Sequence, residues 1–401
     1  MGRDVKPLAA RLKPIGPSPT VRLGVLVNEM KRRGEDVVSF SVGEPDFPTP
    51  KHIVDAAKKA LDEGWTKYVS SLGIPELREA IAEKMNRENR VPVDKDGVLV
   101  APTKHALYIA IMGLVNTGDE VLFPDPGWVS YAPMVHLAGG RPVPVVAAED
   151  SKFELTPDAL AAAITPRTKA IVINSPSNPA GSVFSKQTMK GLCDLVTERD
   201  LFLISDEIYE KILYEGTHYS PASFDGMFER TVTVHGFSKT YAMTGWRLGW
   251  LAAEASLVKQ LVKVQEHTIT CAPAFAQWAG VAALNGPPSV VAKLVEEFRA
   301  RRDLMLEEFR TVPGFRVSRP KGTFYFFPRY DLDVRSDELA ERLLREAGVA
   351  VTPGAAFGDA GEGHLRFSYA CSRKDIRKGM ARVRTFLEKM KKGTKGEEGG
   401  P

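Results

Sequence analysis

Short runs of β-branched and other apolar residues recur along the chain up to Lys239. Each stops abruptly in a polar or Gly/Pro-rich loop, and most are followed by a helical pattern. Val98–Val100 breaks at Ala101-Pro-Thr-Lys104, after which His105 to Val115 is apolar on every face, as a buried helix would be. Glu120–Phe123 ends at Pro124-Asp-Pro-Gly127. Lys169–Ile173 ends at Asn174-Ser-Pro-Ser-Asn-Pro-Ala-Gly181, with a helix expected from about Ser185. Leu201–Ile204 ends at Ser205-Asp-Glu207, and Thr231–Val234 at His235-Gly-Phe-Ser-Lys239. Alternation of this kind predicts an α/β fold with a mostly parallel sheet flanked by helices. In such sheets the ligand lies beyond the carboxyl ends of the strands. Asn178, Asp206 and Lys239 each follow a strand end, so three strands carry polar groups toward one crevice.

Beyond Trp250 the style changes. A long helical stretch, rich in Arg and Glu over Val291 to Arg310, leads to a β segment at Gly322–Pro328, a helix at Ser336–Ala347 and strands at Val349–Val351 and His364–Ser368. This predicts a smaller α+β domain, to which the expected strand Val37–Ser41 returns. The boundaries expected are an N-terminal arm and strand (1–50), a large domain (51–288), a small C-terminal domain (289–388) and a flexible basic, Gly-rich tail (389–401).

The 54 Lys and Arg against 50 Asp and Glu leave too small an excess to suggest nucleic acid as a partner. Three dispersed cysteines form no CxxC or Cys/His cluster. Neither a disulfide framework nor a zinc site is expected, and a reducing cytoplasm is. The longest apolar stretch, Ala106–Val115, is about half of the ~20 residues a membrane span needs, and the first residues lack the apolar core of an export leader. The seven histidines show neither metal-ligand nor triad spacing, and His105, His136, His235 and His364 are read as structural; G-x-G-x-x-G is missing.

Six segments stand together in order: Ser41-Val-Gly-Glu-Pro-Asp-Phe47; Tyr68 with Gly73-Ile-Pro-Glu-Leu-Arg78; Asn174 to Gly181; Ser205-Asp-Glu-Ile-Tyr209; Ser238-Lys-Thr-Tyr-Ala-Met-Thr-Gly-Trp-Arg-Leu-Gly-Trp250; and His364-Leu-Arg-Phe-Ser-Tyr369. From about residue 15 to 388 the chain resembles the class I and II aminotransferases, the fold-type I pyridoxal-phosphate enzymes. The resemblance implies that Lys239 holds pyridoxal 5'-phosphate as a Schiff base, since only an amine forms an imine with an aldehyde. It implies that Asp206 pairs with the protonated ring nitrogen, making the ring an electron sink, although an Asp after a strand also commonly caps a helix. Asn178 and Tyr209 would bind the cofactor's phenolic oxygen, and Trp128 would stack on its ring. Arg247, Ser238 and the loop of Thr103 and Lys104 would hold the phosphate. That loop departs from the family, with Ala101-Pro-Thr-Lys104 where a glycine usually precedes the polar residues. Tyr68 would reach the phosphate of a neighbouring subunit, making the active sites of a homodimer shared. Arg366 would clamp the substrate carboxylate, where Gly43 lets the backbone lie close, and Asn178-Pro179 is a candidate cis peptide.

The implied reaction is a ping-pong transfer of an amino group from an L-amino acid to a 2-oxo acid such as 2-oxoglutarate, with Lys239 as the proton-transferring base. Lys104, Ser18 and Thr20 match positions that contact acidic side chains in the bacterial and archaeal aspartate aminotransferase subgroup, which favours aspartate or glutamate. Gly16 stands where some prephenate-using relatives carry a basic residue, which counts against that activity. Aromatic amino acids or alanine remain alternatives, as does a lyase of the same fold, which uses the same Lys, Asp and Arg. A regulator carrying such a domain would need a DNA-binding domain ahead of it, and the likeness starts within about fifteen residues of Met1.

Overall fold

The computed structural model describes residues 8–397; the segments 1–7 and 398–401, and with them the first residues of the expected arm and the end of the expected tail, lie outside it. A seven-stranded sheet organises the chain. Its strands are β1 (Val98–Val100), β2 (Glu120–Asp125), β3 (Arg141–Val146), β4 (Thr168–Asn174), β5 (Phe202–Asp206), β6 (Thr231–Gly236) and β7 (Gly249–Ala252). Their order is β1-β7-β6-β5-β4-β2-β3. The pairs from β6 through β5, β4 and β2 to β3 are parallel, while β7 runs antiparallel to both β6 and β1. The central strands β4, β5 and β6 are buried almost throughout, which is why they appear in sequence as unbroken β-branched runs.

Two of these strands escape the sequence pattern. Arg141-Pro-Val-Pro-Val-Val146 contains two prolines and is tolerable only at the edge, where β3 lies. β7 is four residues long and falls inside the Ser238–Trp250 motif, where its strand signal is hidden. Helix α1 (Pro19–Arg32) was likewise unmarked: a single one of its residues, Val27, is buried, so no continuous apolar stripe betrays it.

Helix α2 (Thr103–Leu114) fills the expected place between sheet and solvent-side helices, and it is apolar on all sides because it is buried. The helix expected from Ser185 spans Lys186–Glu198, with the Ser185 hydroxyl capping Thr188 N at 3.0 Å. Ser336–Ala347 is helical at that span and stops at Gly348, whose φ of +63° needs no Cβ. The strand Val38–Ser39 pairs in parallel with Val349–Ala350, and Tyr325–Phe326 pairs with Leu365–Ser368. The N-terminal segment thus packs with the C-terminal elements around an aromatic cluster that includes Phe40, Phe298, Phe324, Phe326 and Phe367. The last helix continues from Arg373 to Glu397, into the segment expected as a tail. Among the described residues no helix is long and apolar enough to cross a membrane.

Candidate active site

A cleft of about 340 Å³ opens beyond the carboxyl ends of β4, β5 and β6, where strand register sets Asn174 beside Asp206 and Asp206 beside Val234. Thr103, Lys104, Trp128, Asn178, Asp206, Tyr209, Ser238, Lys239, Arg247, Arg366 and Gly43 all line it. Of the residues singled out in the sequence for the site, Tyr68, which is 85% exposed, and Ser18 lie outside the cleft lining.

Lys239 Nζ donates to the Gly43 carbonyl at 2.6 Å. Burial, with help from Arg366 and Arg247 and against Glu44 and Asp206, lowers its ammonium from 10.5 to about 8. Asp206 is buried, and burial raises its carboxyl to about 6. Its Oδ2 accepts the Tyr131 hydroxyl at 2.9 Å, and its Oδ1 the Ile208 amide at 3.3 Å. Asn174 fixes the surrounding backbone: its Nδ2 donates to the Asp206 carbonyl at 2.9 Å, and its Oδ1 accepts the Asn178 amide at 2.7 Å. The Asn178-Pro179 peptide is cis.

Arg366 is buried across the cleft. Nη1 donates to Asn178 Oδ1 at 3.0 Å, and Nη2 to the Ser41 carbonyl at 2.8 Å and to Thr352 Oγ1 at 3.3 Å. The guanidinium lies over the Tyr325 ring at 4.4 Å and the Phe357 ring at 4.9 Å, while Nε is buried without a partner. An orphaned donor on a buried cation suits an anionic ligand. Tyr325, which the sequence reading passed over, also hydrogen-bonds Tyr209 through the two hydroxyls at 2.9 Å. It explains Gly43, because a Cβ there would come within 2.7 Å of the Tyr325 hydroxyl.

The opposite end of the cleft is cationic. α2 begins at Thr103 without a side-chain cap, so its first amides are available to an anion. The Thr103 hydroxyl donates to the His235 carbonyl at 3.2 Å, so the donation expected of it is directed into the sheet and its amide remains. This close approach requires glycine at 236 and 249, where a Cβ would stand 2.0 and 2.4 Å from Thr103 Oγ1. Arg247 adopts φ +55°, a left-handed conformation held in part by its own Nη1 bonding the Thr244 carbonyl at 2.9 Å. Lys104 Nζ sits 4.9 Å from the centre of the Trp128 ring, and burial followed by Arg247 lowers its pKa.

Behind Asp206 lies a buried polar network that the histidine spacings gave no hint of. Glu207 accepts His218 at 2.7 Å and His235 at 3.2 Å, and Glu210 pairs with Lys84. Carboxylate and ring atoms of Glu207, Glu210 and His235 lie within 4.8 Å of one another, a spacing that metal ligands share, but the Lys84 ammonium already supplies the cation.

An amine of lowered pKa, a buried carboxylate, and a cation with open helix amides are the partners that an aldehyde, a ring nitrogen and a phosphate require, so this donor set fits pyridoxal phosphate. The family model for aminotransferase class I and II matches residues 35–383, and the chain belongs to that family of pyridoxal-phosphate-dependent enzymes. It is 44% identical to the aspartate aminotransferase of Pyrococcus abyssi over 96% of this chain and 99% of that one. It is 42% identical to aromatic-amino-acid aminotransferase 2 of Thermococcus litoralis, with the same coverage. The solved aspartate aminotransferase of Thermus thermophilus with maleate superposes with a TM-score of 0.92 at 41% identity, covering 96% of this chain and all of that one.

Proposed function

We propose that this aminotransferase takes its amino group from an acidic amino acid, aspartate or glutamate, and passes it to a 2-oxo acid such as 2-oxoglutarate. The observation that carries this reading is a cation in the cleft beyond those given to the cofactor and the α-carboxylate, Lys239, Arg247 and Arg366. Arg366 suits the α-carboxylate that every amino acid has, and Lys104, stacked over Trp128, has no ion-pair partner among the described residues and is free to meet a side-chain carboxylate. Thr20, at the start of α1, lines the same cleft and is bonded to Ser18 at 3.1 Å between hydroxyls. A second reading, an aromatic substrate, rests on the apolar part of the lining at Val21, Val42 and Leu107.

Bound pyridoxal phosphate supplies an aldehyde and an electron-withdrawing ring that together weaken the Cα–H bond of an attached amino acid. Arg366 binds and orients the α-carboxylate, with Gly43 leaving room beside it. Lys239 Nζ would hold the cofactor, and as a partly neutral amine when free it would take the proton from the substrate Cα. Asp206 would hold a proton on the ring nitrogen. Asn178 and Tyr209 would bind the ring oxygen, and Trp128 would pack on the ring. Arg247, Ser238 and the backbone amides of Thr103 and Lys104 at the start of α2 would hold the phosphate. Exposed Tyr68, together with Val21, Val25 and Leu26 on α1, supports a homodimer in which Tyr68 reaches the neighbouring cleft.

The test is to follow the cofactor's visible absorption as aspartate, alanine and tyrosine are added separately to the purified protein. Conversion at the lowest concentration by aspartate supports the acidic substrate. Tyrosine or alanine acting at lower concentration overturns it in favour of the apolar wall.

A further inference from the structure

Tyr131 lies three residues beyond Trp128 on a helix, Tyr131–Leu137, and it is completely buried between the sheet and α2. Its hydroxyl donates to Asp206 Oδ2 at 2.9 Å, and its ring meets that of Trp128 edge-on at 5.4 Å and 77°. One side chain therefore touches both the carboxylate assigned to the ring nitrogen and the indole assigned to the ring face. We propose that Tyr131 is a positioning residue that holds the Asp206 carboxylate, and the Trp128 ring, in the poses the cofactor needs.

A buried phenol must find an acceptor, and a plain core tyrosine would satisfy that with any carbonyl. The arrangement here is more specific. An ionised carboxylate accepts about four hydrogen bonds. Tyr131 takes a place on Oδ2 and the Ile208 amide one on Oδ1, which fixes the plane of the group and leaves lone pairs open toward the cleft. The groups acting on Asp206 oppose one another. Burial and neighbouring Glu207 favour its neutral form, while the Tyr131 hydroxyl, the Ile208 amide and Lys239 favour the anion; buried Tyr209 stands near as well. Removing the phenol oxygen takes away the largest of the influences that keep the carboxylate charged, so its affinity for a proton rises. A neutral carboxyl holds a protonated ring nitrogen poorly.

This inference rests on the proposed role of Asp206, so the two are tested together. Tyr131→Phe, Asp206→Ala and the double variant are compared with the parent for dissociation of pyridoxal phosphate at pH 6 and pH 8. Melting of the cofactor-free proteins checks folding. Tyr131→Phe removes one oxygen and keeps the ring against Trp128. It is expected to weaken cofactor binding about 10- to 100-fold, as loss of a hydrogen bond to a charged group does, and more at pH 6 than at pH 8. In the Asp206→Ala background the same change is expected to have little further effect. Normal binding by Tyr131→Phe beside a defective Asp206→Ala overturns this inference alone, as does an equal loss in both backgrounds. Normal binding by Asp206→Ala overturns the role given to Asp206, and this inference with it.

Discussion

Replacing Arg366 by lysine separates geometry from charge at the substrate end of the cleft. The guanidinium is fixed by Asn178 Oδ1 at 3.0 Å, the Ser41 carbonyl at 2.8 Å and two aromatic faces, with its buried Nε still to be partnered. Lysine keeps the positive charge, but it offers a point where arginine offers a fork. It cannot bond Asn178, Ser41 and a carboxylate in the same geometry. Losing one charge-assisted hydrogen bond costs about 2 kcal/mol, or about 30-fold in kcat/KM. The assay is the single-turnover conversion of the cofactor by alanine and by ethylamine, which is alanine without its carboxylate. Arg366→Lys should slow the alanine reaction by about that factor, leave the slow ethylamine reaction unchanged and leave the cofactor's absorption intact. An equal loss with both amines would show that Arg366 supports the fold of the site and does not clamp the carboxylate. No loss with either would refute the assignment outright.

Two further outcomes follow from the buried charges of Lys239 and Glu210. The Lys239 ammonium, lowered to about 8, should be neutral in roughly a tenth of molecules at pH 7 and half at pH 8, so capture of pyridoxal phosphate by the cofactor-free protein should speed up across that interval and then level off. A midpoint near the ordinary 10.5 would disprove the burial argument. Lys84→Met leaves the buried Glu210 carboxylate without its ammonium partner, with only Asn89 donating to it at 2.6 Å and His235 nearby, at a cost of about 3–5 kcal/mol in urea unfolding at pH 7. Glu210 is held below its usual 4.5 in the parent, largely by Lys84 against the effect of burial, so its contribution is present above 4.5 and lost as the pH falls. The gap between parent and variant should therefore narrow in acid, and adding Glu210→Gln should recover much of the loss at pH 7; a gap that Glu210→Gln leaves untouched would sink the account.

Much of the large sheet was legible because burial on both faces forces continuous apolar runs, and the loops after β4, β5 and β6 carry their chemistry at the break. Asn178, Asp206 and Lys239 each follow a strand end, so the sequence alone turned them toward one crevice, while Arg366 was joined to them by the family resemblance of its motif. Helix Ser336–Ala347 was readable to the residue because its apolar stripe and its terminal glycine are both local signals. The edge strand β3, the antiparallel β7 and the exposed α1 were not, since edges, short strands and one-sided helices leave weak periodicity.

Contacts between residues far apart in the chain belong to the tertiary structure alone. No spacing announces that Tyr131 bonds Asp206, that Tyr325 touches Gly43, Tyr209 and Arg366 at once, or that the Thr103 hydroxyl turns to His235 through the gap left by Gly236 and Gly249. Nor does it announce Lys84 against Glu210, 126 positions apart. The physical reason is the same in each case. Local sequence fixes periodicity, turns and caps, but which buried donor meets which acceptor is decided by how sheet and helices pack, and burial then sets whether Lys239 and Asp206 carry the charges their chemistry needs.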